Sequence, residues 1–202
     1  MCGIVGYVGP REATDVVISG LQRLEYRGYD SAGIAIVHRD DISIRRSVGK
    51  LARLKTQLHE KPARGHQGIG HTRWATHGGV TENNAHPHRS QNGDIVVIQN
   101  GIVENYLQLK QELAAGGYTF TSQTDTEVIA HLIEREARAA GSFCEGFRRA
   151  MSLLKGGNAV VAMSVHEPGV IAAARLGNAG AVVIGDGDGE KFVASDMPAI
   201  LD

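Results

Sequence analysis

Strand-like runs stand at both ends of this chain and helical periodicity fills its middle, an order that points to an α+β domain of layered antiparallel sheets with helices packed outside. The first run is Met1-Cys2-Gly3-Ile4-Val5-Gly6-Tyr7-Val8. Val16, Val17, Leu21 and Leu24 then recur at helical spacing over 12–25, after Pro10 and before the turn residues Gly28 and Asp30. Residues 32–37 and 42–48 read as strands joined by the polar turn 38–41, an early hairpin. Leu51, Leu54 and Leu58 form the stripe of a short helix that Pro62 ends. A strand is expected at 67–73. Residues 78–93, rich in His, Asn, Gly and Ser without periodicity, read as a long surface loop. An apolar strand at 94–99 runs into Asn100-Gly101. Helices are expected near 104–115, 126–139 and 142–154, the last capped by Gly156-Gly157, with Cys144 buried at its start. Four short strands, at 159–165, 170–175, 181–184 and 191–194, complete the chain.

The chain has 202 residues, enough for one sizeable domain, and 42% apolar with 21% charged residues is ordinary globular composition. Its 21 basic and 22 acidic residues nearly cancel, so net charge argues for neither a nucleic-acid nor a membrane partner. There is no apolar run near 18 residues and no signal-peptide pattern, which makes a cytoplasmic location the expectation. Two cysteines, Cys2 and Cys144, are too few for a disulfide framework and suit a reducing compartment.

Cys2 directly follows the initiator methionine and heads a strand. If Met1 is removed, this residue carries a thiol and a free α-amine, whose ordinary pKa values of about 8.5 and about 7.7–8.0 let one act as base for the other. While Met1 remains attached, the Cys2 nitrogen is an amide and cannot do this. Taken by itself, Cys2 reads better as merely a small residue after the start codon.

Four polar clusters lie where a strand or helix ends: 27–31 (RGYDS), 71–78 (HTRWATHG), Asn100-Gly101 and 124–127 (TDTE). Each has a plainer reading. Asp125 is placed to cap a helix, Asn100-Gly101 to make a turn, Arg73 to form a surface ion pair and Trp74 to join the core. His66, His71, His77, His86 and His88 raise a metal site, but their spacing fits no helical ligand pair and no cysteine supports it, so no metal and no cofactor are expected. Together the clusters suit a free amino acid: Arg73 for the α-carboxylate and Asp125 for the α-ammonium. The Asn100 amide and the Gly101 N–H are donors for an oxyanion formed when a side-chain amide is attacked.

CGIVG at the terminus, LEYRGYDSAG, HTRWATHG, NAHPH, NGIVEN and TDTEVIAHL, in this order and spacing over essentially the whole chain, closely resemble the glutaminase domain of the glutamine-fructose-6-phosphate aminotransferases. These are class II, N-terminal-nucleophile glutamine amidotransferases. The resemblance implies a four-layer αββα sandwich of two antiparallel sheets flanked by helices. It implies that Cys2 attacks L-glutamine, with Asn100 and Gly101 as oxyanion hole. Arg73, Thr76 and His77 would hold the carboxylate and Asp125 the ammonium, under a mobile loop bearing Trp74. Arg27 and Gly28 would position the terminus. It also implies that 1–202 is the amidotransferase domain, cut short at its C-terminal end, with the sugar-phosphate isomerase domain absent. The intact enzyme would be a homodimer passing ammonia to fructose 6-phosphate. Three departures stand out: Gln99 in place of a histidine, Asn158 in place of an aromatic residue, and Asn178-Ala179-Gly180 in place of a Ser-Pro-Leu type turn. A non-catalytic amino-acid sensor on the same fold, with Met1 retained, is the competing reading.

Overall fold

The computed structural model describes residues 2–75 and 78–201. Strand β1 (Gly3–Val8) leads into helix α1 (Ala13–Arg23), followed by the hairpin of β2 (Ser31–His38) and β3 (Asp41–Val48). Helix α2 (Leu51–Glu60), strand β4 (Gln67–Arg73), the two-residue β5 (His88–Arg89) and β6 (Ile95–Gly101) come next. Then follow α3 (Tyr106–Ala115), α4 (Thr126–Ala140), α5 (Phe143–Leu153), β7 (Asn158–Ser164), β8 (Ile171–Leu176), β9 (Val183–Gly187) and β10 (Glu190–Ala194). One sheet has the order β3-β2-β4-β1-β10-β9 and the other β5-β6-β7-β8, every described pairing being antiparallel.

Three apolar layers hold these elements in four tiers. Val17 and Leu21 of α1, with Leu51 and Leu54 of α2, cover the outer face of the first sheet at Val5, Tyr7, Ile34 and Ile36. The inner faces of the two sheets meet through Ile4, Ala35 and Ile69 on one side and Val96, Ile98, Val161 and Met163 on the other. The outer face of the second sheet, at Val97, Val160 and Ala162, packs on α3, α4 and α5. Because β6 buries alternate residues in two different layers, its sequence is a continuous apolar run rather than an alternating one. The result is the αββα sandwich. None of the described helices is long and apolar enough to cross a membrane.

Three local expectations are corrected. The 78–93 segment is no surface loop throughout: Asn84, His86, His88 and Ser90 are buried. Each finds a partner inside the fold, His86 Nε2 lying 2.9 Å from Thr126 Oγ1 and His88 Nε2 3.0 Å from Thr124 Oγ1. Cys144 is exposed, since the buried stripe of α5 runs through Phe143, Phe147, Ala150 and Met151 and residue 144 lies off it. Helix α5 ends at an extended Leu154 rather than at the glycine pair.

Candidate active site

Strand β1 lies between β4 and β10, so the chain start is held from both sides. Gly3 N donates to Thr72 Oγ1 (3.1 Å), Ile4 N to Ser195 Oγ (3.0 Å), and Ser195 N returns a bond to the Ile4 carbonyl (3.0 Å). Arg27 secures that second clamp by donating to the Ser195 carbonyl (3.2 Å) and the Asp196 carboxylate (2.6 Å). Beside it the backbone of Gly28 runs so close to β4 that a Cβ would stand 2.9 Å from the Thr72 carbonyl oxygen. A terminus tied in this way is fixed rather than frayed.

The Cys2 sulfur accepts a hydrogen bond from Trp74 N at 3.1 Å. Burial pushes the thiol pKa up, opposed by that bond and by the positive charge of Arg73. Near neutral pH the sulfur is therefore protonated and needs a base to attack as thiolate.

The facing groups arrive from the second sheet and from α4. Asn100, near the end of β6, donates from Nδ2 to the Cys2 carbonyl at 2.8 Å, and its Oδ1 lies 3.0 Å from His71 Nε2. Gly101 has φ 133°, and a Cβ there would stand 2.0 Å from the Gly157 carbonyl oxygen, so only glycine fits. Asp125 precedes α4 but its side chain caps nothing; Oδ2 accepts from Val103 N at 2.7 Å. The capping reading is thus replaced by one in which the carboxylate braces the chain after β6. Arg73 is 4% exposed and so does not lie on the surface, and its guanidinium donates to the carbonyls of Gly79 (3.1 Å) and Gly78 (3.2 Å). Trp74 is 47% exposed and stands edge-on to Tyr29, with ring centroids 5.5 Å apart, which removes it from the core. Thr76 and His77 lie outside the described residues.

One cavity of about 390 Å³ is lined by Cys2, Arg27, Arg73, Trp74, Asn100, Gly101 and Asp125. Gly28 stays behind it, against β4. The cavity also has walls that were assigned no role, among them Thr124 and Thr126 of the TDTE cluster, and Ser195. Thr124 and Thr126 flank Asp125, a cue that was available; nothing in the sequence marks Ser195. Among the described residues no group of three or more His, Cys, Asp or Glu side chains is arranged to hold a metal ion.

His71 and His86 also line the cavity and pack in a row with His88, ring centroids 4.2 and 4.8 Å apart, the second pair edge-on. Burial drives all three pKa values down, His71 to about 4 and His88 to about 3. An unfolded histidine titrates near 6.5, so the unfolded chain binds more protons between that pH and the folded values. The stabilisation is complete above about pH 6.5 and is lost as pH falls through the folded values. The thermal midpoint, followed by circular dichroism, should therefore drop steeply between about pH 6.5 and about pH 4. A flat profile would contradict three neutral buried rings.

The family described as "Glutamine amidotransferase domain" matches residues 71–202. Glutamine-fructose-6-phosphate aminotransferases (isomerizing) of Pyrococcus horikoshii and Thermus thermophilus are each 50% identical over 201 residues, and that of Idiomarina loihiensis is 51% identical over 203. Each alignment covers all of this chain and 32–33% of the relative, so the chain spans about a third of the length of the curated relatives it matches. Among solved structures, the glutamine phosphoribosylpyrophosphate amidotransferase of B. subtilis superposes with TM-score 0.84 at 30% identity, over 98% of this chain and 42% of that one. A structure titled as the allosteric regulatory enzyme of purine biosynthesis gives 0.85 at 32% identity, with the same coverage. With the family match, full-chain relatives and shared four-tier fold all agreeing, the chain belongs to the glutamine amidotransferase domain family.

Proposed function

We propose that this chain hydrolyses L-glutamine to glutamate and ammonia through a γ-glutamyl thioester on Cys2. The observation that carries this is the convergence of Cys2, Arg73, Asn100, Gly101 and Asp125 on one cavity, although they come from different strands and a helix start. Removal of Met1 frees the α-amine. The amine takes the thiol proton, and the sulfur attacks the side-chain amide carbon. The carbonyl oxygen becomes an oxyanion that accepts from the Asn100 amide and the Gly101 N–H. As the carbon–nitrogen bond breaks, the amine returns the proton to the leaving nitrogen and ammonia departs. Water, deprotonated by the same amine, then cleaves the thioester and restores the thiol. Arg73, with Thr76 and His77, binds the α-carboxylate; Asp125 binds the α-ammonium; Trp74 covers the site. Arg27 and Gly28 hold the terminus through the Ser195–Asp196 turn and β4.

The longer relatives support a further reading of the intact protein. A sugar-phosphate isomerase domain follows this one, and ammonia passes to fructose 6-phosphate to give glucosamine 6-phosphate in a cytoplasmic homodimer. The 202-residue chain alone releases ammonia to solvent.

The test is covalent labelling with a diazo-ketone analogue of glutamine, followed by mass mapping. The label is expected on Cys2 in a chain that has lost Met1. A label on any other residue, or none in a chain with a free Cys2 amine, overturns the reading.

A further inference from the structure

We propose that His71 is a positioning residue for the oxyanion donor: seated on His86, it holds the Asn100 side-chain amide with its nitrogen turned toward Cys2. The inference rests on the glutaminase reading for its catalytic consequence, not for its geometry.

The two ends of an asparagine amide are told apart only by their partners. The Cys2 carbonyl can only accept, so the group 2.8 Å from it is Nδ2. Asn100 Oδ1 then faces His71 Nε2 at 3.0 Å and can only accept, so Nε2 carries the proton. A ring held neutral by burial has one N–H, and it is spent on this bond. His71 is therefore no general base on its Asn100-facing nitrogen. Without this donor the amide could rotate and present its oxygen, which repels an oxyanion.

A second chain of bonds fixes the ring under His71. Asn158 Nδ2 donates to the Lys155 carbonyl (3.3 Å), so Asn158 Oδ1 accepts from Gln99 Nε2 (2.8 Å). Gln99 Oε1 accepts from the Thr126 hydroxyl (2.9 Å), whose oxygen is left to accept from His86 Nε2–H (2.9 Å). Gln99 and Asn158, two of the departures noted in the sequence, are thus direct partners and jointly set the proton on His86. The His86 ring lies 4.2 Å from that of His71, with an interplanar angle of 32°. His71 belongs to β4 of the first sheet and Asn100 to β6 of the second, so their bond also sets the two sheets relative to each other beside Cys2.

His71→Phe should lower kcat for glutamine hydrolysis about tenfold, the scale of one ordinary hydrogen bond, and leave KM within about threefold, because its N–H is spent on Asn100 and anchors neither the α-carboxylate nor the α-ammonium. His71→Gln, which restores an N–H of similar reach, should recover most of the loss. In an Asn100→Ala background His71→Phe should have no further effect on kcat. Wild-type kcat in a folded His71→Phe chain, or an undiminished loss in that background, overturns the proposal. Should His71→Phe fail to fold, the Gln variant and the Asn100→Ala chain carry the comparison. Nitrogen NMR of the histidine rings needs no turnover: at pH 7 it should find His71 protonated at Nε2 alone, and a proton on Nδ1 overturns the inference. Should the wild-type chain release no glutamate, the glutaminase reading fails, while the NMR result still decides the role of His71.

Discussion

Cys2→Ala should release no glutamate from glutamine above the buffer rate, and Cys2→Ser should be equally silent. Removing the nucleophile of a covalent hydrolase costs on the order of 10⁶-fold in rate, and alanine leaves no atom able to form the thioester. Serine keeps a hydroxyl that is intrinsically far less nucleophilic than a thiolate, in a site shaped around sulfur. The fold should survive, because the described contacts of the side chain are those with the Trp74 backbone while the strand after it is tied through Thr72 and Ser195. Glutamate release measured with a coupled dehydrogenase, beside circular dichroism, checks both halves. Turnover retained in the alanine variant would exclude Cys2 as nucleophile.

Arg73→Ala should raise KM for glutamine about 100-fold while kcat changes by no more than a few-fold. The α-carboxylate takes no part in bond breaking, so its anchor contributes to ground state and transition state alike. A hydrogen bond to a charged group is worth about 1.5–3 kcal/mol, and about 1.4 kcal/mol corresponds to tenfold in affinity. The guanidinium's planar fork of five N–H groups matches a carboxylate bidentately. Arg73→Lys should fall between, keeping charge but losing the planar fork. Steady-state kinetics on the three chains would decide it, a loss confined to kcat ruling out the anchoring role.

Much of the fold was legible because burial follows local period. The apolar spacing of 12–25 and 51–58 marked α1 and α2, and the hairpin of 31–48 was bounded within a residue or two. Where the period was silent the reading slipped. The 78–93 segment looks like surface because it is polar, yet Asn84, His86 and His88 are buried; their partners Gln123, Thr126 and Thr124 lie tens of residues away. Cys144 was expected to be buried from its residue type, but the face of α5 that it occupies left it exposed.

The candidate site divides along the same line. A cysteine behind the initiator, a strand to hold it, and polar clusters at element ends are local facts, and the sequence by itself determined them along with the residue types able to bind an amino acid and attack its amide. Only the tertiary structure decided which of these meet. Asn100 reaches Cys2 across 98 residues, and Ser195 closes on Ile4 across 191, because β1 is paired between β4 and β10 and the second sheet lies across it. It also decided that His71 has Asn100 for a partner and that Asp125 braces Val103 instead of capping α4. Period along a strand tells which face is buried; which strand lies alongside is set by packing between segments far apart in the chain, and directional bonds such as these form only after that packing has placed their partners.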